Sequence, residues 1–331
     1  MAGVAMFTLG GTIAMAGSRG DGAGGPVVAR LSGADLTAAV PALGELGVPL
    51  EVHDIEAVGS ANLTFARIGA LVESASQAVA AGAIGVVVTQ GTDTLEETAF
   101  LVDLLWAHAE PFVLTGAMRN PTLAGPDGPA NLLAAVRTAA SPAARGLGAL
   151  AVVNDEIHAA RWVRKTHSTS TATFASPNAG PIGHVIEGRV RVLTTPVRHR
   201  PLPLGESTAE QIRVALHTVT LDDDADGLAA QVETAQGLVV AGFGVGHVPA
   251  ALADLLGSLA ARMPVVLASR TGSGSVLRHT YGSIGSETDL LRRGLISAGL
   301  LDPYKARVLL RVLLARGADR EAVAAAFEEH G

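Results

Sequence analysis

Short apolar runs alternate along this chain with longer segments whose apolar positions recur at helical spacing. Residues 4–9, Val86–Thr89, Phe112–Thr115 and Ala149–Val153 read as buried strands. Asp35–Val40, Phe65–Ala80, Leu95–His108 and Ala130–Ala139 read as helices. Alternation at this spacing predicts a parallel sheet with helices on both faces. A second α/β unit follows, with strands at Ile212–Val219, Leu238–Ala241 and Val265–Ala268. Its helices are predicted at Ala250–Ala261, Asp289–Ala298, Pro303–Ala315 and Arg320–His330. The stretch Arg191–Glu206, with Pro196, Pro201 and Pro203, reads as a linker. The expected fold class is therefore two α/β domains: a larger N-terminal parallel-sheet domain over 1–190, a linker over 191–210, and a smaller C-terminal α/β domain over 211–331.

The polar residues gather where predicted strands end. In VVVTQGTDTLEETAF the strand stops at Thr89 and the helix begins at Leu95, leaving Thr92 and Asp93 in the turn. The carboxyl ends of parallel strands open into the crevice where ligands bind, so both residues belong at a pocket mouth. A structural role competes: Thr94 followed by Glu97 is a capping box, and Glu96 and Glu97 suit the helix dipole. Gly10 and Gly11 turn the chain after the first strand and present Thr12, a candidate nucleophile, although a plain tight turn would look the same. The glycine-rich Gly17–Gly25 stretch then reads as a flexible loop suited to a lid. Gly59 with Ser60, Gly116–Arg119, and Asn154 with Asp155 repeat the pattern, and several polar strand ends at one sheet edge point to a site.

Composition narrows the chemistry. Across 331 residues, 48% hydrophobic and 17% charged content excludes a disordered chain, and a net charge of -7 without a basic cluster argues against nucleic acid. No apolar run is long enough to span a bilayer. The first residues go straight into VAMFTL without a basic region or cleavage site, so a soluble cytoplasmic protein without an export signal is expected. With no cysteine, and ten histidines outside any H-E-x-x-H spacing, no metal is expected. Gly242, Gly244 and Gly246 imitate part of a dinucleotide fingerprint, but His247 and Pro249 stand where its last glycine should open a helix, so no cofactor is expected. Lys165 and Lys305 are the only lysines, and arginine does the remaining cationic work. A lysine amine can give up its proton whereas arginine cannot. Lys165, in the irregular polar run WVRKTHSTSTATFASPNAGPIGH, is thus either a candidate base or an ordinary solvated loop lysine.

LGGTIA, TQGTDTLEETAF, VLTGAMR, DGPANLLAAV, VRKTHSTSTATFASPNAGPIG and LDPYKARVLL, in this order over nearly the whole chain, resemble the bacterial-type L-asparaginase and asparaginase/glutaminase family. The resemblance implies hydrolysis of an amino-acid side-chain amide, and a homotetramer built as a dimer of dimers. Thr12 matches the family's nucleophile, and Thr92, Asp93 and Lys165 match its second catalytic group. Ser60 matches the holder of the substrate α-carboxylate, Asp93 that of the α-amino group, and Ala117 a main-chain contact. Glu287 aligns with the acidic residue lent by a neighbouring subunit. Three positions depart from the family: the loop after Thr12 lacks its frequent tyrosine, with Pro26 about where it would stand. Ala61 replaces a common glutamine, and His247 a frequent asparagine. The chain is expected to be an L-asparaginase. The alternatives are a broader glutaminase-asparaginase, a tRNA-dependent amidotransferase subunit, which would normally carry a further amino-terminal domain, a nucleotide-binding enzyme, and a non-catalytic amino-acid sensor on the same fold.

Overall fold

The computed structural model describes residues 3–17, 27–29, 31–204 and 211–331. The chain divides into two compact units, Met1–Pro201 and Leu202–Gly331. In the first, the strands are β1 (Val4–Thr8), β2 (Met15–Gly17), β3 (Val27–Ala29), β4 (Leu50–Asp54), β5 (Gly85–Thr89), β6 (Phe112–Thr115), β7 (Ala149–Val153), β8 (Glu156–Ala159), β9 (Arg164–Lys165), β10 (Phe174–Ala175), β11 (Gly183–Ile186) and β12 (Arg189–Val192). Its helices are α1 (Gly33–Ala38), α2 (Phe65–Ala80), α3 (Leu95–Leu105) and α4 (Gly128–Ala140). One sheet runs β12-β11-β8-β7-β6-β5-β1-β4, parallel from β4 to β7 and antiparallel beyond.

The parallel strands read as unbroken apolar runs because both faces are covered. Met6, Val87, Val113 and Leu150 face Leu132, Ala135 and Val136 of α4 in one buried cluster. Phe7, Val88 and Leu114 point the other way and are also buried, on the side where α2 and α3 lie. Helix α2 shows how the sequence arranges this. Thr64 caps it by accepting from Arg67 N–H, and Ile68, Leu71, Val72 and Ala75 make one buried stripe. At the lower end of the sheet, Phe112 packs edge-on against the fully buried Trp106 at 5.0 Å between ring centroids.

The second unit holds β13 (Val214–Thr218), β14 (Gly237–Gly242), β15 (Val265–Ser269) and β16 (Ile296–Ser297) in one parallel sheet of that order. Its helices are α5 (Ala225–Gln231), α6 (Ala250–Ala260), α7 (Glu287–Arg292), α8 (Pro303–Ala315) and α9 (Arg320–His330). Leu228 of α5 and Leu252 and Leu256 of α6 cover Leu238, Val240 and Leu267, while α8 packs on the sheet through β13, β14 and β15. Asp302 caps α8 and pairs at 3.2 Å with Lys305, whose side chain is fully buried.

Several expectations need correction. Asp289–Ala298 is not one helix: α7 ends at Arg292, Gly294 turns with φ 99°, and Ile296–Ser297 joins the sheet as β16. The stretch read as a linker from Arg191 starts inside β12, whose Val190 and Val192 pack against the first unit's core. The irregular run after Asn154 holds the small β9–β10 ladder and enters β11. The lid expected at Gly17–Gly25 lies, beyond Gly17, outside the described residues.

Replacing Phe112 with Ala removes a fully buried ring and its edge contact. The expected loss is about 3–5 kcal/mol, read as a lower urea midpoint of the N-terminal unit's transition.

Candidate active site

Strands β1, β5 and β6 are in register so that Thr8, Thr89 and Thr115 stand side by side where the strands end. The pairing continues one step further, with Leu9 N–H donating to Thr89 O and Gln90 N–H to Thr115 O. The three following loops therefore leave the sheet together. Gly10 and Gly11 have φ of 85° and 87°, and a Cβ at Gly11 would lie 2.1 Å from the backbone nitrogen of Gly91. A Cβ at Gly91 would in turn meet Ser60 Oγ at 2.7 Å. Only bare backbone permits this stacking, which brings the loops that carry Thr12, Ser60 and Thr92 into contact at Gly11 and Gly91.

Thr12 opens a single 3-10 turn, Thr12–Ala14, and is half-buried. Ser60 is 3% exposed, and its Oγ makes no hydrogen bond among the described residues. A buried hydroxyl without a partner is costly, and a polar ligand at this point would satisfy it. The capping box expected at Thr94 does not form: Thr94 Oγ1 donates instead to the Ser60 carbonyl at 3.1 Å, tying the two loops together.

Lys165 arrives from β9. Its Nζ donates to Thr92 Oγ1 at 3.0 Å and to Asp93 Oδ1 at 2.7 Å. The lysine side chain is 15% exposed and that of Asp93 72% exposed, so Lys165 lines an open pocket with Asp93, Thr166, His167 and Ser168. Its backbone N–H donates to Glu96 Oε2 at 2.6 Å. Past β10, Ser176 Oγ pairs with Nδ1 of the wholly buried His158 at 3.0 Å, with Glu156 on the other ring nitrogen at 3.1 Å. Burial pushes the His158 pKa down and outweighs the Glu156 carboxylate, which favours the charged ring.

The loop after β6 is held by groups to which the sequence assigned no role. Both Asp127 oxygens accept from Met118 N–H, one of them also from Arg119 N–H at 2.8 Å. Asn131 donates to Gly116 O and accepts from Asn154 N–H, each at 2.9 Å, so one amide joins the ends of β6 and β7 and fixes the buried Ala117 between its neighbours. Glu96 was also missed, since its position fits a helix-dipole charge. The signal was available in the DGPANL and DTLEET strings, where polar residues recur at positions facing the core.

Two residues expected at the site lie in the second unit, as a pair of their own. Glu287 opens α7 fully buried: Oε1 accepts from Thr280 and Tyr281 N–H at 3.0 and 2.7 Å, and Oε2 pairs with His247 Nε2 at 3.1 Å. His247 sits on a tight hairpin closed by its bridge to Phe243, and Tyr281 packs edge-on against it at 4.9 Å. Burial alone would raise the Glu287 pKa, but the N–H groups of Tyr281 and Thr280, its own N–H and the His247 ring together hold it below the usual carboxylate range.

The family model described as "Asparaginase, N-terminal" matches residues 3–198, and "Glutaminase/Asparaginase C-terminal domain" matches 213–327. A "Probable L-asparaginase" of Deinococcus radiodurans is 37% identical over 315 residues, covering 92% of this chain and 95% of the relative. "L-asparaginase 2" of Escherichia coli is 35% identical over 251 residues, covering 74% and 70%. The solved structure of a "Probable Cytoplasmic L-asparaginase from Campylobacter jejuni" superposes with a TM-score of 0.87 at 32% identity and 99% coverage of both chains.

Two outcomes are expected. Gly11→Ala drives a Cβ into Gly91 and is expected to lower the melting temperature and disorder the Thr12 turn, seen as faster amide exchange at residues 10–14. For Glu287, a pKa depressed by folding means stability that is present above its unfolded value, about 4.3, and lost as pH falls through the lower folded value. Glu287→Gln should therefore be less stable than the parent at pH 7, with a melting-temperature deficit that shrinks toward pH 3. A deficit that is constant with pH would contradict this account.

Proposed function

The chain belongs to the asparaginase family, and from that premise we propose that it hydrolyses the side-chain amide of L-asparagine to L-aspartate and ammonia. One observation carries the reading. The one lysine amine at the strand ends lies 3.0 Å from a threonine hydroxyl and 2.7 Å from a carboxylate, in an open pocket. An amide carbonyl resists direct attack by water, and a covalent route divides that barrier into two lower ones.

On this reading Thr12 Oγ1 attacks the amide carbon as its proton passes to the Thr92, Lys165 and Asp93 group, which hands it to the amide nitrogen; the C–N bond breaks and ammonia departs, leaving an ester to Thr12. Water then cleaves that ester, returning the threonine and L-aspartate. Thr92, Lys165 and Asp93 form the proton-handling group: the lysine amine, 3.0 Å from the Thr92 hydroxyl oxygen, exchanges the proton with it, and Asp93 orients the amine. The unpaired Ser60 Oγ receives the substrate α-carboxylate, Asp93 the α-amino group, and Ala117 contributes a main-chain contact. Glu287, steadied by His247, serves the site of a neighbouring subunit, so activity depends on assembly into a dimer of dimers. The similar Campylobacter jejuni protein, described as a probable cytoplasmic L-asparaginase, supports a cytoplasmic placement here.

Glutamine, one methylene longer, is the expected secondary substrate, since such a difference is worth only about 1–3 kcal/mol of discrimination. Ammonia release from L-asparagine and L-glutamine, each over a concentration series, tests the proposal. Release is expected from asparagine at low concentration, and Thr12→Ala and Lys165→Met should each lose at least about 10²-fold in kcat with an unchanged melting temperature. Normal turnover in either variant would sink the mechanism. A melting-temperature rise with asparagine but no release from either amide would favour an amino-acid sensor.

A further inference from the structure

We propose that Glu96 is a positioning residue for Lys165: its buried carboxylate fixes the lysine backbone so that the amine reaches Thr92. The proposal rests on the reading of Lys165 as the base and adds what sets its reach. Glu96 is 7% exposed in the first turn of α3, three residues beyond Asp93. Its Oε2 accepts from Lys165 N–H at 2.6 Å across a separation of 69 residues.

The need for such an anchor follows from the local fold. β9 is two residues long and pairs with β10 alone, outside the eight-stranded sheet. Ladder hydrogen bonds to the main sheet therefore do not fix its height over the strand ends. Lys165 carries a four-carbon stem with freely rotating bonds, and a displaced backbone would swing the amine away from Thr92. Residues 92–96 instead grip the lysine at both ends, the amine through Thr92 and Asp93 and the backbone N–H through Glu96. One short segment thus carries both the group to be activated and the anchor for its base.

A helix-dipole role does not account for Glu96. Glu97 supplies a carboxylate in the same turn and is less deeply buried. A carboxylate is kept out of water only where it gains charge-assisted hydrogen bonds, and Glu96 gains one from Lys165.

The test compares Glu96→Ala, Glu96→Gln, Glu97→Gln and Lys165→Met in ammonia release across an asparagine series. Glu96→Ala should lower kcat about 10²-fold, the scale of a misplacement of about 1 Å, with KM within about threefold because Ser60 and Asp93 are untouched. Glu96→Gln keeps an oxygen acceptor and should recover most of that loss, remaining about 3–10-fold below the parent, while Glu97→Gln stays within about twofold. Parental kcat in either folded Glu96 variant would overturn the proposal, and so would an equal loss in Glu97→Gln or a rise in KM with kcat kept. If Glu96→Ala does not fold, Glu96→Gln decides by the same criterion. Turnover retained in Lys165→Met would refute the reading of the base itself. An inactive Lys165→Met beside fully active Glu96 variants would refute only the positioning role.

Discussion

The register of three parallel strands governs everything built above them. Because Thr8, Thr89 and Thr115 end level, the loops that follow must leave the sheet within backbone contact of one another. A parallel sheet cannot relieve this by sliding: a shift of one residue would turn every buried valine of β5 to the opposite face. The cost of slippage is thus set by the core, and the precision of the strand ends is inherited from it. Helices α3 and α4, which close the two faces, also carry Glu96 and Asn131 at their site-facing ends.

Much of this was legible in the chain itself. Buried strands announce themselves as short apolar runs, and α2, α8 and α9 match their expected bounds because their apolar spacing and caps agree. The polar strand ends were readable too, since a connector has no need of so many hydroxyls and carboxylates. Illegible parts share a cause. The antiparallel strands β11 and β12 mix charged and apolar residues because one side of each is open, and β8 carries Glu156 and the buried His158, so all three look like loop. β16 is too short to have a period, and the segment before it therefore extended the helix on paper.

Roles of individual polar residues were harder to read than their positions. Thr94 satisfies the local rule for a cap, yet its hydroxyl serves Ser60. Glu96 satisfies the rule for a helix dipole, yet its carboxylate serves a residue 69 positions away. In both cases a tertiary partner outcompetes a local one, and no local pattern can register that. Asn131 belongs with them: a helix-interior asparagine is unfavourable in isolation, and its donor and acceptor are spent on joining two strand ends.

The disposition of the two lysines carries a practical consequence. Lys305 is sealed in the interior against Asp302, so the side-chain amine that meets solvent is that of Lys165, at 15% exposure. Reagents that acylate amines therefore find no decoys on the surface of this protein apart from the chain terminus. Covalent attachment through lysine, routine for immobilising or shielding other proteins, would here be directed into the pocket, while the arginines that make up the rest of the cationic surface ignore such chemistry.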